Sequence, residues 1–209
     1  MSAIAVLFDT NDISQSPVAS RGDAELMERV GSRDTAAFEA LYTALYPRLY
    51  RFIYRMTRHP DLTEELVNET MLVVWEKPQG FNYRCKVSTW VFGIAYRKAL
   101  KSLSKGAQAA AELSIDELAE VIPDGKPSAV SQVELDDLIA VALDTLSPEQ
   151  QAVVELTYHH ELPYQEIAEI LGCPENTVKT RMFYARKKLQ PFFKDLISDP
   201  QDYRYEEKP

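Results

Sequence analysis

Apolar residues recur at helical spacing along most of the chain, and no segment shows a convincing strand alternation. Phe38, Leu41, Leu45, Leu49 and Phe52 follow steps of three or four residues, which places them on one helix face turned to a core. Asp34 is a candidate N-cap for this helix, and helical patterning begins near Asp23. Pro47 falls inside the run and predicts a kink or a break. After a turn at Pro60-Asp61, the residues Leu62, Leu66, Val67, Thr70, Val73 and Val74 form a second stripe. Asp61 or Thr63 is the candidate cap of that helix, which runs to about Trp75. Residues 77–88 read as a loop from their Pro and Gly. A third helix starts at Ser88 or Thr89, turns Trp90, Val91, Ile94 and Ala95 inward, and fades by Ser104-Lys105-Gly106.

A second helical unit begins at Glu134. It contains residues 135–143, then Ser147-Pro148-Glu149-Gln150 as the capped start of a helix through Tyr158. Next come two short helices. The first carries Ile167, Ala168, Ile170 and Leu171 and stops at Gly172. Cys173-Pro174 opens the second, in which Val178, Met182, Ala185 and Leu189 form the buried stripe. A helix pair with a glycine turn and a polar, cationic second helix suits the DNA major groove, although an ordinary helical hairpin has the same outline. The expected fold is all-α. It comprises a flexible leader (1–22), an N-terminal helical bundle (23–105), a flexible acidic linker (106–133), a C-terminal helix-turn-helix domain (134–196) and a polar tail (197–209).

The net charge of −9 argues against a nucleic-acid partner until its distribution is read. Residues 46–60 hold four arginines and no acid, residues 77–111 seven Lys/Arg and no acid, and residues 176–194 six Lys/Arg and no acid. Residues 112–144 hold nine acids against Lys126 alone. Charge sorted into blocks points to charged partners. Hydrophobic residues make up 45% of the chain, enough for real cores. Cys85 and Cys173 offer neither metal spacing nor a disulfide framework. With no secretory signal and no apolar run near the ~20 residues of a membrane span, a cytoplasmic protein without membrane insertion is expected.

Three constellations carry chemistry. Asp61, Glu65, Asn68 and Glu69, with Glu64 beside them, form an acidic helical ridge suited to a basic partner helix. Phe81, Tyr83, Trp90 and Tyr96 are interleaved with Arg84, Lys86, Arg97 and Lys101, a pattern suited to single-stranded nucleic acid, with cations on phosphates and rings on bases. On the last helix, Asn176, Thr177, Lys179, Thr180, Arg181 and Tyr184 are candidates for groove contact. Asn176 and Arg181 have the chemistry for adenine and guanine edges, while Arg186, Lys187 and Lys188 suit phosphate or the helix end. His159-His160 reads as an exposed helix-end pair. Cys85, between Arg84 and Lys86, is a candidate redox sensor, and Thr63 a candidate phosphosite that would add charge to the ridge. No nucleophile–base pair and no phosphate-binding glycine loop is present. A metal-dependent nuclease built on Asp61, Glu64, Glu65 and Glu69 would lack converging ligands from a second segment. No catalytic residue, metal or cofactor is therefore expected.

The segment LSPEQQAVVELTYHHELPYQEIAEILGCPENTVKTRMFYARKKL resembles the fourth conserved region of bacterial sigma factors. DLTEELVNETMLVVWEK resembles their core-polymerase-binding helix, and FNYRCKVSTWVFGIAYRKALKSL their promoter-melting segment. Their order and the short linker are similar to the extracytoplasmic-function (ECF) group of the sigma-70 family. The resemblance implies a transcription initiation factor whose partners are core RNA polymerase, through its clamp and flap regions, promoter DNA, and an anti-sigma factor covering both modules. It places Asp61, Glu64, Glu65, Asn68 and Glu69 on polymerase. Phe81, Tyr83, Arg84, Lys86, Ser88, Thr89, Trp90, Tyr96, Arg97 and Lys101 fall on the melted minus-ten element. Asn176, Thr177, Lys179, Thr180, Arg181, Tyr184, Arg186 and Lys188 fall on the minus-thirty-five element, and the acidic linker in the polymerase's nucleic-acid path. The chain departs from the family pattern at Leu62-Thr63, at Arg97 where Asn is common, and at Asn176 where Gly is usual. A stand-alone helix-turn-helix regulator with an N-terminal sensing or dimerisation module remains open.

Overall fold

The computed structural model describes residues 21–113 and 141–193, and among them all regular structure is helical. Helices α1 (Arg21–Gly31), α2 (Thr35–Thr57), α3 (Pro60–Glu76) and α4 (Val87–Leu113), with a 3-10 turn at Pro78–Gly80, make the first module. Helices α5 (Pro148–Tyr158), α6 (Tyr164–Leu171) and α7 (Glu175–Phe193), preceded by helical residues 141–144, make the second. The expected leader, most of the acidic linker and the polar tail lie outside the described residues.

Several helix ends follow from local chemistry. Asp34 caps α2: its Oδ1 accepts from the Ala37 amide at 3.1 Å and its Oδ2 from Arg29 at 2.7 Å. These two bonds, the amide first, hold its carboxyl below the usual range. Ser147 and Gln150 form a reciprocal capping box at α5, with Pro148 in the first turn. Gly172 ends α6 at φ +64°, where a residue with a side chain would be strained.

Other ends differ from the sequence expectation. α3 is capped by His59, whose Nδ1 accepts from the Leu62 amide at 3.4 Å, rather than by Asp61 or Thr63. Pro60 takes the first helical position, which puts the cap at His59, two residues upstream of Asp61. α2 runs unbroken through Pro47. Pro47 and Thr43, whose carbonyl loses its helical partner, both lie on the solvent side, where the freed oxygen is open to solvent. α4 does not fade at Gly106 but continues to Leu113 through an alanine-rich stretch of high helix propensity.

The first module packs Leu41, Leu45, Leu49, Phe52 and Ile53 of α2 against Leu66, Val67, Met71 and Val74 of α3 and Val91, Phe92, Ala95 and Ala99 of α4. The second closes Val153, Leu156, Ile167, Ile170, Val178, Met182 and Leu189 around its own core. The modules also pack on each other, α4 against α6 and α2 against α5. There Gly93 backs onto the Ile170 carbonyl, which a Cβ at that position would meet at 3.4 Å. Across the same seam Arg55 faces the buried carboxylate of Glu155 at 3.9 Å and Arg58 faces Asp144 at 3.4 Å. Part of the arginine block that suggested an external charged partner is therefore spent inside the molecule.

His160 is not an exposed helix-end residue. Its side chain is 2% exposed, its ring edge-on to Phe92 at 5.0 Å and near Phe52 at 6.3 Å. Arg48 and Arg51 face it from α2, Glu155 from α5 and His159 from the cap of α5. Burial, opposed by Glu155, lowers its pKa from 6.5 to about 4. An imidazole freed by module separation takes up a proton first, so the closed packing weakens as pH falls from 6.5 toward about 4 and is unaffected above that window. Acidification from pH 7 to pH 5 is expected to increase the separation of labels placed on the two modules. His160→Phe, which keeps a ring in the seam, should flatten that response. An equal response in both proteins would count against the assignment.

Candidate nucleic-acid and protein interfaces

α3 displays its acidic ridge on one side because the other side is committed to the core. Leu66, Val67, Thr70, Met71 and Val74 are buried, while Asp61, Glu64, Glu65, Asn68 and Glu69 are all exposed. Two neighbouring helices hold parts of the ridge. The Tyr46 hydroxyl donates to Glu64 Oε1 at 2.5 Å and the Tyr42 hydroxyl to Asn68 Oδ1 at 2.9 Å, both from α2. Lys98 of α4 donates to Glu69 at 2.6 Å. Thr63, the candidate phosphosite, is fully buried. Its hydroxyl donates to the His59 carbonyl at 2.8 Å and lies 2.9 Å from the Thr57 hydroxyl. A kinase would reach it only after the α2–α3 corner opened.

The loop before α4 gathers rings. Phe81 is buried between Tyr83, with centroids 4.6 Å apart, and Trp90 at 5.5 Å. Tyr83 is 59% exposed and sits in the left-handed region at φ 60°. That turn is held by Asn82, whose Oδ1 accepts from the Arg84 amide at 3.1 Å. Phe81, Tyr83, Lys86 and Ser88 line a cleft that Asp23 and Ala24 of α1 complete. Arg84 is exposed in the same loop, and Arg97 and Lys101 are exposed further along α4. Cys85 does not have the low pKa of a redox-sensing thiolate. It is half-buried, and burial, then Glu169 and Glu166, push its thiol up.

On α7, Asn176, Lys179, Thr180, Tyr184 and Lys188 are exposed, and Thr177 and Arg181 are half-buried. The Thr180 hydroxyl donates to the Asn176 carbonyl at 2.8 Å. Arg186 does not project like a free phosphate contact: it donates to the Tyr158 hydroxyl at 2.8 Å and fastens α7 to α5. Sequence reading passed over Phe183, which is 62% exposed, with Tyr184 packed edge-on at 5.4 Å. Its position was the available signal: three residues after Thr180 and seven after Asn176, it shares their face.

The loop and helix that carry the first cationic surface are partly closed by the second module. Glu166 of α6, 8% exposed, accepts from Lys86 Nζ at 2.6 Å and from the Thr89 hydroxyl at 2.5 Å. Thr89 and Tyr96 are buried in this seam. Burial pushes the Tyr96 hydroxyl pKa up, against the pull of Arg181 from α7. Lys86, Thr89 and Tyr96, assigned to nucleic acid from sequence, are here engaged by the second module.

Two helical modules in this order, the second a helix-turn-helix, are the architecture of a sigma-type transcription initiation factor. Residues 41–108 match the family model of sigma-70 region 2, and residues 136–189 that of sigma-70, region 4. The ECF RNA polymerase sigma factor SigL of Mycobacterium tuberculosis is 30% identical over 167 residues, covering 78% of this chain and 92% of that protein. The ECF sigma factor SigK of Mycolicibacterium vanbaalenii is 29% identical over 161 residues, covering 75% and 82%. Among solved structures, the sigma factor RpoE in complex with the anti-sigma factor NepR from Bartonella quintana matches with TM-score 0.59 and 26% identity, over 75% of this chain and 96% of that one. CnrH in complex with the cytosolic domain of CnrY shares the fold, with TM-score 0.63 at 21% identity over 83% and 98%. The chain belongs to the ECF group of the sigma-70 family. It is accordingly an RNA-polymerase-binding transcription initiation factor, of a class that acts without catalysis. Among the described residues no helix is long and apolar enough to cross a membrane.

Glu166→Ala would leave the Lys86 ammonium and the Thr89 hydroxyl in the seam without an acceptor, a loss on the order of 3 kcal/mol to the closed packing. Amide exchange is expected to accelerate in residues 87–96 and 164–171 while α1–α3 keep their protection. Unchanged exchange in both segments would show that Glu166 does not hold the modules together.

Proposed function

We propose that this chain directs core RNA polymerase to specific promoters by holding one DNA in two states. α3 docks on the polymerase clamp and the second module on the flap. The ring-lined cleft before α4, with Arg84 in its loop and Arg97 and Lys101 further along α4, captures the opened minus-ten strand. The exposed face of α7 reads the paired minus-thirty-five element. The supporting observation is the contrast between the two surfaces. The cleft is lined by Phe81 and the exposed ring of Tyr83, with Trp90 packed behind Phe81, an arrangement that suits an unstacked base, whereas α7 presents an exposed polar helix face that suits a groove. Stacking contributes about 1–3 kcal/mol per base, comparable with the few kcal/mol needed to unstack one. Melted DNA can thus be trapped without nucleotide hydrolysis.

The closed packing is the resting form in this reading. Glu166 occupies Lys86 and Thr89 where DNA would, and polymerase and promoter separate α6 from α4. An anti-sigma factor that favours the closed pair is the expected negative regulator, acting with this chain in the cytoplasm. The Bartonella quintana relative is itself bound by NepR.

Transcription with purified core polymerase on a randomised promoter library tests the reading. Initiation from an enriched two-part motif is expected. Promoter binding without any effect on core polymerase would favour a stand-alone helix-turn-helix regulator instead. On the recovered promoter, Asn176→Ala should relax selection at one position and cost about 1–3 kcal/mol, while Lys179→Ala should weaken all sequences alike and reduce the salt slope by about one. Phe183→Ala should lower selection only where the motif holds thymine, and uracil at that position should reproduce the loss in the unaltered protein.

A further inference from the structure

α2 carries tyrosine at every fourth position from Tyr42 to Tyr54. Four residues turn an α-helix about 40° past one full circle, so successive rings stay in contact while the row drifts slowly round the helix. The centroid separations are 5.6 Å for Tyr42–Tyr46, 5.9 Å for Tyr46–Tyr50 and 6.1 Å for Tyr50–Tyr54. Phe38 extends the row at 6.2 Å from Tyr42 and anchors it on Trp75 of α3 at 5.1 Å. An aliphatic stripe would have served packing alone. What the tyrosines add is a line of hydroxyls at the rim of the core, and two of these end on ridge residues of α3.

We infer that Tyr42 and Tyr46 are positioning residues for polymerase docking: their hydroxyls hold Asn68 and Glu64 in the side-chain conformations that meet the clamp. The inference rests on the docking role proposed above for the α3 ridge. An exposed glutamate that is free to rotate loses about 1.5–2 kcal/mol of conformational entropy when a partner fixes it. A tyrosine clamped between stacked neighbours has already lost its freedom through packing and passes that order on through one hydrogen bond. At 2.5 Å the Tyr46–Glu64 bond has the short length of a charge-assisted contact. That bond, ahead of burial, pushes the Tyr46 hydroxyl pKa up to about 12, so tyrosine keeps its proton at neutral pH and is the donor to Glu64. The pair stays acidic overall: Oε1 of Glu64 is engaged while Oε2 remains for a cation of the partner. Tyr42 likewise engages Oδ1 of Asn68 and leaves its amide N–H groups outward. Lys98 holds Glu69 from the opposite flank, so the ridge is braced from both sides before polymerase arrives.

The test uses the full chain with Tyr42→Phe and Tyr46→Phe, which keep every ring and remove only the hydroxyls. Affinity for purified core polymerase is measured beside Tm, together with Glu64→Ala, Asn68→Ala and the paired double variants. Each tyrosine variant is expected to bind core about 3- to 10-fold more weakly with Tm little changed. Tyr46→Phe should add no loss in a Glu64→Ala background, and Tyr42→Phe none in an Asn68→Ala background. Wild-type affinity in the phenylalanine variants, losses that add fully to those of the alanine partners, or losses that follow a fall in Tm would each overturn the positioning role. If Glu64→Ala and Asn68→Ala themselves bind core normally, the docking reading of the ridge fails and this inference with it. If they bind weakly while the phenylalanine variants do not, the ridge stands and only the tyrosine role is lost.

Discussion

Helix α2 has to satisfy four helices, α1, α3, α4 and α5, with one circumference, and that constraint organises the molecule. Leu41, Leu45, Leu49 and Phe52 supply the buried stripe of the first module. The tyrosine row borders it on the side of α3, where its hydroxyls reach the acidic ridge. The arginines border it on the side of the second module, where Arg55 and Arg58 meet acids and Arg48 lies over the Phe92 ring at 5.6 Å. A side chain lost from one border weakens more than packing, because each border carries a different partner of the helix. The solvent side is left so lightly committed that it tolerates Pro47 in mid-helix.

The seam between modules is built from groups that have alternatives. Glu166 is a carboxylate placed where a phosphate would satisfy the same ammonium and hydroxyl. A largely buried ion pair of this kind adds little net stability over an apolar contact, yet it is costly to leave half-made. That combination suits a contact meant to be exchanged for another anion rather than held permanently. His160 has the same character: burial, helped by Arg48 and Arg51 and opposed by Glu155, disfavours its protonation in the closed packing. A ligand that binds only the separated modules shifts this equilibrium by its differential affinity, with no other device required.

Much of the candidate site was legible because its signals are local. The ridge on α3 follows from residues three and four apart, which share a face in any helix. The exposed face of α7 follows from the phase of Val178, Met182, Ala185 and Leu189, whose burial leaves Asn176, Thr180 and Tyr184 outside. What the sequence left open depended on distant neighbours. Arg186 looked free until Tyr158, twenty-eight residues away in sequence, took its guanidinium. Cys85 looked activated by its cationic neighbours until burial and the acids of α6 reversed the balance. Thr63 looked available until Thr57 closed over it. Phe183 was missed because an exposed ring carries no pattern in one dimension beyond its phase.

By itself the sequence determined the helices, the caps at Asp34 and Ser147, the stop at Gly172, the sorting of charge and the family motifs, since each depends on chemistry within about one or two helical turns. Tertiary structure alone decided which cations remain available for an outside partner. It joined Lys86 to Glu166 across eighty residues, buried His160 in the seam and set Tyr42 and Tyr46 against Asn68 and Glu64. The reason is physical: a residue's type sets what it can bond to, but exposure and competing partners are set by whichever helix packs on it, and no local interval in the chain encodes that neighbour.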